Sequence, residues 1–293
     1  MTASSPTLSI VLPCLNEAEN LKALLLSIKE AQPTAEILII DDGSTDDSAN
    51  ISKQYGARVI SHPDPLGNGA AIKTGARHAN GEIIVFMDAD GQHRPEDIQR
   101  LLDKLSEGYD MVVGARTSNT HASKKRLFGN TVFNKLASFM TGQKIEDLTS
   151  GFRAVRAKHF KKFLYLLPNG FSYPTTSTMA FFRSALPVAY IPIKAGKREG
   201  KSKIKLLKDG LRFFVIILKI GALFSPMRLF LPISFVFFLT GFLNHLYTYF
   251  AWGGLSKGSL LMYVCSVFIF LMGILSEQIS SLHYRNTDNE NNP

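Results

Sequence analysis

Short apolar runs alternate with amphipathic ones through the first 115 residues. LSIVL (8–12), EILII (36–40), ARVIS (57–61), EIIVFM (82–87) and MVVGA (111–115) are rich in β-branched residues and bounded by Gly, Pro, Asn or Asp, the pattern of buried strands. The intervening segments 17–31, 45–55, 69–79 and 95–106 read as helices. This strand–helix alternation predicts an α/β fold, a mostly parallel sheet with helices on both faces. From residue 116 the rhythm loosens into a basic helical stretch (about 123–141), a further strand VAYIPI (188–193), the Gly- and Lys-rich KAGKREGKSKIK, and a helix at about 204–225. In that helix Lys205, Lys208, Arg212 and Lys219 fall on one stripe, with Leu, Ile and Phe elsewhere, as expected of a helix lying in a membrane interface.

Two long apolar stretches follow, LFLPISFVFFLTGFLNHLYTYF (229–250) and LLMYVCSVFIFLMGILSEQISSL (260–282). Each is long enough to cross a hydrocarbon core of about 30 Å, and neither span carries a charge before Glu277, so they read as a transmembrane hairpin. The formal charge of +9 changes this picture by its placement: residues 1–115 hold 9 Lys/Arg against 17 Asp/Glu, residues 116–193 hold 12 against 2, and residues 194–228 hold 10 against 2. With a hairpin next to it, the basic excess points to lipid and phosphate rather than to nucleic acid. Cations before the first span and Arg285 after the second, with only Lys257 in the loop between them, put the amino-terminal domain in the cytoplasm. MTASSPTLSIVLPCLNE has no signal-peptide pattern, which agrees. Cys14 and Cys265 offer no disulfide framework. The expected divisions are 1–203 for a catalytic domain, 204–228 for the interfacial helix, 229–282 for the hairpin and 283–293 for a disordered tail.

Ligands of parallel α/β sheets bind at the carboxyl ends of the strands, and there the polar chemistry collects. PCLNE follows the first strand, DDGSTDD the second, DADGQH the fourth and RTSN the fifth. Asp88 and Asp90, one residue apart, can meet at one point. With Gln92 they suit Mg²⁺ or Mn²⁺, or else they cap the helix that begins near Pro95. Asp41 and Asp42 end the neighbouring strand, where a carboxylate can accept hydrogen bonds from a base or ribose, and Ser44 or Thr45 can cap the next helix. LGNGAAIKTGA (66–76) lacks the Gly-Lys-Ser/Thr ending of a phosphate loop and reads instead as a loop shaping a nucleotide pocket. Arg116, Lys124, Lys125, Arg126, Arg198, Lys201 and Lys203 form, as a set, a surface for phosphate groups.

Taken in order, SIVLPCLNEAENL, ILIIDDGSTDDS, VFMDADGQHRPEDI, VVGAR, DLTSGFRA and REGKSKIK resemble the motifs of inverting nucleotide-sugar glycosyltransferases of the GT-A type, a Rossmann-like fold. They are most similar to the dolichol-phosphate mannose synthase and bacterial polyprenyl-phosphate glycosyltransferase group. The resemblance covers about residues 7 to 228, and the paired spans resemble the group's two-span bacterial members. It implies a nucleotide-diphosphate sugar donor, a polyprenyl-phosphate (undecaprenyl- or dolichol-type) acceptor and a divalent cation, Mg²⁺ or Mn²⁺. Pro13, Asn16, Glu17, Asp41 and Asp42 would face the nucleoside, and Asp88, Asp90 and Gln92 would hold the metal. Arg116 and Arg126 would position the acceptor phosphate, and Arg198, Lys201 and Lys203 would close over the donor phosphates. Asp147 and Arg153 would sit beside the sugar or acceptor, with Asp147 orienting groups rather than removing a proton, because a lipid phosphate is already anionic at neutral pH. The implied location is the inner membrane, as a multi-pass protein, with self-association left open.

Two other readings compete. A processive polysaccharide synthase would carry a Gln-x-x-Arg-Trp segment, yet the one tryptophan is Trp252, between the spans. A silent scaffold on the same fold would be expected to lack part of the Asp88, Asp90 and Gln92 set. The sugar and base stay open among UDP-glucose, UDP-N-acetylhexosamine and GDP-mannose, with a lean to UDP donors.

Overall fold

The computed structural model describes residues 7–116, 124–170, 172–194, 196, 215, 218–219, 221–222 and 225–290. They fall into two units, one drawn from residues 1–135 and 144–210, the other from 136–143 and 211–293.

The first unit is built on β1 (Leu8–Cys14), β2 (Glu36–Asp41), β3 (Arg58–Ser61), β4 (Ile83–Phe86), β5 (Met111–Arg116), β6 (Arg153–Arg156) and β7 (Val188–Ile193), in the spatial order β3-β2-β1-β4-β6-β5-β7. All neighbours are parallel except β6, which runs antiparallel to both β4 and β5. Alternate residues point to opposite faces. Ile10, Leu12, Ile37, Ile39 and Val85 join the core formed with α1 (Ala18–Ala31) and α4 (Asp97–Ser106), through Leu21, Leu25, Ile98 and Leu101. Val11 and Ile40 face the other way, where α3 (Asn68–His78) comes so close that a Cβ at Gly75 would collide with Val11. Fully burying each such side chain contributes about 1.5–3 kcal/mol.

The sheet is mostly parallel, as the pattern predicts, but β6 was not legible as a strand. RAVR is four residues flanked by arginines, with no apolar run to mark it. Its direction matters for the site. Arg153 pairs with Phe86 of β4 and with Val113 of β5, so the amino end of β6 and the segment before it arrive where those two strands end. The remaining helices of this unit are α2 (Ser48–Gln54), α6 (Ala157–Lys162) and α7 (Tyr173–Arg183), while α5 (Lys124–Thr141) runs on into the second unit. A cleft of about 1080 Å³ lies at the opposite edge, walled by Leu8, Glu36, Gly81, Ile83 and Leu102, away from the strand ends that carry the acidic pairs.

The second unit contains α8 (Pro226–Trp252) and α9 (Lys257–Glu290), joined by a short turn at Gly253, which takes the left-handed φ of 73° that closes a helix. Small residues repeat every seventh position, Ser234, Gly241 and Thr248 on α8 against Ser259, Ser266, Gly273 and Ser280 on α9. This spacing keeps one seam facing the partner helix and lets the backbones approach. Ser234 Oγ donates to Ser266 O and Ser266 Oγ to Ser234 O, each at 2.9 Å. Both helices are long and apolar enough to cross a membrane, and only 11% and 17% of their most apolar windows are buried, so their apolar surface points outward.

One expectation fails here. Residues 283–293 were expected to be a disordered tail, but α9 continues to Glu290. Asn286, Thr287, Asp288 and Asn289 are weak helix formers, but no proline or glycine stands between His283 and Glu290 to break the helix outright. The expected interfacial helix at 204–225 falls largely outside the described residues.

Candidate active site

The carboxyl ends of β1 and β2 are stitched together by short polar side chains. Asn16 adopts φ 57°, a left-handed conformation that Asn tolerates, and its Oδ1 accepts Thr45 N–H at 2.8 Å while its own N–H donates to Ser44 Oγ at 2.9 Å. The Glu17 N–H donates to Ser48 Oγ at 3.0 Å. Ser44 or Thr45 was read as able to cap the next helix; the N-cap of α2 is Asp47, with no side-chain cap bond, and Ser44 and Thr45 tie the two loops. Asp41 is buried and its Oδ1 accepts Ser44 N–H at 3.0 Å. Pro13, on β1 opposite Ile40, and Glu17 are half-buried along the same edge.

Asp42 departs from its expected part as an open acceptor for the nucleoside. It is 4% exposed, and its carboxylate accepts Leu66 N–H at 2.9 Å and Gly67 N–H at 2.8 Å, with His62 Nδ1 at 2.7 Å. Thr74 Oγ1 holds the far side of the His62 ring at 2.9 Å. The carboxylate therefore braces the loop entering α3. At the start of α3, Gly69 N–H and Ala70 N–H are taken by Gly170 O and Asn169 O. A helix start whose amides already serve carbonyls has none to offer a phosphate there.

Asp88 and Asp90 follow β4 directly and are half-exposed. They do not cap α4: its N-cap is Glu96, with no side-chain cap bond, and Asp90 Oδ1 instead accepts Gln92 N–H at 3.2 Å. Among the described residues no three His, Cys, Asp or Glu side chains are grouped to hold a metal by themselves. Two carboxylates and a carboxamide fit a hard cation such as Mg²⁺ or Mn²⁺ whose remaining positions are filled by phosphate oxygens, and they do not fit a closed protein cage. Gly196 N–H donates to Gln92 O at 2.8 Å, so the chain leading toward the basic loop is fastened to this turn.

Asp147, arriving ahead of β6, meets Arg116 at the end of β5. Arg116 Nε is 2.8 Å from Asp147 Oδ2 and Nη2 is 3.0 Å from Oδ1, a two-point contact, and Nη2 also donates to Thr149 Oγ1 at 2.6 Å. Burial alone pushes the Asp147 carboxyl up, but Arg116 together with the N–H groups of Arg116 and Thr149 outweighs it and holds the pKa below the usual carboxylate range. Burial works against the Arg116 charge too, and Asp147 outweighs it, with Asp88 adding to the effect. Arg116 thus reaches the site already paired, which the sequence did not reveal.

Arg153 was expected beside the sugar or acceptor. It is instead 0% exposed, donating to Pro174 O at 3.0 Å, to Ser177 Oγ at 2.8 Å and to Ser150 O, with Tyr173 stacked near its guanidinium. Its residue pairs with Phe86 in the middle of the sheet, so its side chain is directed under α7 rather than into solvent. Arg153 ties the 147–151 segment to α7. At Gly151 an added Cβ would lie 3.0 Å from Asp88 Oδ2 and 3.3 Å from the Tyr173 hydroxyl, so a side chain there would require those groups to give by a few tenths of an ångström.

The structure therefore brings Pro13, Asn16, Glu17, Asp41, Asp42, Asp88, Asp90, Gln92, Arg116 and Asp147 to one sheet edge. Arg198, Lys201 and Lys203 lie outside the described residues, as does the side chain of Arg126, although its backbone belongs to α5. His62, His93 and Thr149 are participants that sequence reasoning did not single out; His93 and Thr149 stood inside stretches already marked, while His62 carried only the signal of a polar residue after a strand.

Residues 9–164 match the model of glycosyl transferase family 2, and residues 225–282 match that of the GtrB C-terminal hairpin. Among curated proteins the chain is similar to a glycosyltransferase, AglJ, of Haloferax volcanii (27% identical; 94% of each chain). It is also similar to a polyprenol monophosphomannose synthase of Mycolicibacterium smegmatis (29%; 67% of this chain, 80% of the relative). A third relative is an undecaprenyl-phosphate 4-deoxy-4-formamido-L-arabinose transferase of Klebsiella pneumoniae (34%; 68% and 63%). Among solved structures, glucosyl-3-phosphoglycerate synthase of Mycobacterium tuberculosis with Mn²⁺, UDP-glucose and phosphoglyceric acid shares the fold, at a TM-score of 0.62 and 21% identity over 74% of this chain and 80% of that one.

Proposed function

The chain belongs to glycosyl transferase family 2, and from that premise we propose that it transfers a hexose from a nucleotide-diphosphate sugar to the phosphate of a membrane polyprenol, inverting the anomeric carbon. The observation that carries this reading is the union, in one chain, of the family 2 match with a hairpin of the GtrB type, alongside relatives whose names give polyprenyl-phosphate chemistry.

A divalent cation held by Asp88, Asp90 and Gln92 would supply neutralisation of the departing diphosphate. The chain's own residues do the rest. The stitched ends of β1 and β2, with Pro13, Glu17 and Asp41, form the wall for the nucleoside, and Asp42 keeps the adjoining loop in place. An acceptor phosphate oxygen forms the new bond to the anomeric carbon as the bond to the donor's diphosphate breaks, and the nucleoside diphosphate leaves. The acceptor is already an anion, so no base is needed. Asp147, buried and held ionised, keeps Arg116 at the edge of β5, and Arg126, Arg198, Lys201 and Lys203 supply further charge for phosphate groups. The division of labour proposed is catalysis by 1–203 in the cytoplasm, interfacial seating by 204–228 and anchoring of a multi-pass inner-membrane protein by 229–282.

The test offers a panel of labelled nucleotide sugars to purified enzyme with polyprenyl phosphate and Mg²⁺ or Mn²⁺. Label in the lipid phase, lost on chelation and in Asp90→Ala, is the expected outcome. Label released only as free sugar would reject the acceptor, and near-normal transfer by Asp90→Ala would reject the cation site.

A further inference from the structure

His93 closes the same turn as the acidic pair and is buried, 7% exposed. Its ring stacks on Phe152, centroid to centroid 5.0 Å with 17° between planes. Nε2 lies 3.7 Å from Asp88 Oδ2, while among the described residues Nδ1 is buried with no hydrogen-bond partner. A neutral imidazole carries its proton on one nitrogen, and the nitrogen that faces a carboxylate is the one where a proton finds an acceptor. Phe152 is itself fully buried and follows Gly151, where an added Cβ would lie 3.0 Å from Asp88 Oδ2. One segment therefore passes beside Asp88 and stacks on the ring that faces it.

We infer that His93 is a positioning residue for the cation site: its Nε2–H is directed at Asp88 Oδ2 and fixes how that carboxylate is presented. This rests on the reading of Asp88 and Asp90 as cation ligands. The 3.7 Å separation is longer than a formed hydrogen bond, and active-site contacts of this kind tighten when the ligand arrives. Groups that orient a metal ligand commonly change metal affinity by about 10- to 100-fold when removed. Packing alone predicts something else, because a phenylalanine keeps the stack on Phe152 and loses only the N–H.

Two variants of the full chain in detergent separate these roles. His93→Phe retains the ring without the donor; His93→Gln places an amide N–H near the position of Nε2 without the ring. Mn²⁺ affinity is read from the free-ion electron paramagnetic resonance signal, with Mn²⁺ alone and with added UDP or GDP, and thermal unfolding is recorded in metal-free buffer. The expected result is a Tm close to wild type in His93→Phe with Mn²⁺ Kd weakened about tenfold, and a lowered Tm in His93→Gln with Kd near wild type. An unchanged Kd in His93→Phe, or Kd values that follow the Tm order, would overturn the assignment while leaving the cation site standing. Should His93→Gln fail to fold, His93→Phe alone decides. Failure of the wild-type enzyme to bind Mn²⁺ under any of these conditions would overturn the cation reading and His93's part with it.

Discussion

At the scale of single residues, the chemistry at this edge depends on charges whose partners are fixed in advance. Asp147 and Arg116 are largely out of water, and each would be costly there alone. Asp147→Asn keeps the shape and strands the guanidinium, so it should cost about 3 kcal/mol at neutral pH, measured by denaturant unfolding. The sign of the pH effect follows from the depressed carboxyl. Its contribution is present above the unfolded value of about 3.9 and is lost as pH falls through the lower folded value, so the gap between wild type and Asp147→Asn should narrow below about pH 4. Arg153 separates burial from catalysis in another way. Lys cannot reproduce its fork to Ser150, Pro174 and Ser177, so Arg153→Lys should lower thermal stability by several degrees. An unchanged Tm with lost turnover would return Arg153 to the substrate.

Between residues and whole units stand the joints between elements. The start of α3 is pressed against the 168–170 segment, where Gly67, at φ 104°, and Gly69 leave no room for a side chain: a Cβ at Gly67 would sit 2.7 Å from Asn169 O, and one at Gly69 would collide with Pro168 O. Backbone carbonyls cannot swing aside as a flexible side chain does. Gly69→Ala should therefore destabilise the enzyme by about 1–3 kcal/mol, seen as a shifted denaturant midpoint with an unchanged slope. The antiparallel β6 is a joint of the same kind, since it alone delivers Asp147, Thr149 and Gly151 to strands that end at the opposite limit of their own run.

For the molecule as a whole, the outward apolar surface of α8 and α9 predicts that the full chain stays with membranes after alkaline carbonate washing. Topology can be read from Gly254, in the turn of the hairpin, where a new side chain would meet no atom within 4 Å. The proposed cytoplasmic catalytic domain predicts that Gly254→Cys reacts with a membrane-impermeant maleimide added outside intact inner membranes, while Cys14, buried in β1, does not. Protection of Gly254→Cys there, with labelling in inverted vesicles, would reverse the orientation.

Local sequence determined the elements whose signal is periodic or long. Apolar runs bounded by turn residues marked six of the seven described strands, all but β6, and two uninterrupted apolar stretches marked the hairpin, because burial on two faces or in lipid leaves its mark on every residue. It also gathered the acidic pairs on one edge, since parallel strands all end there. What it left undecided was the partner of each polar group. For DADGQH the fold removed helix capping, by placing the start of α4 out of the carboxylates' service, and Asp42, Arg116 and Arg153 had no visible partners until distant segments met them. Those contacts join residues 21 to 31 positions apart, and no local periodicity records such a pairing. The tertiary structure decided it, by bringing Asp42, Arg116 and Arg153 to groups that offset their loss of water.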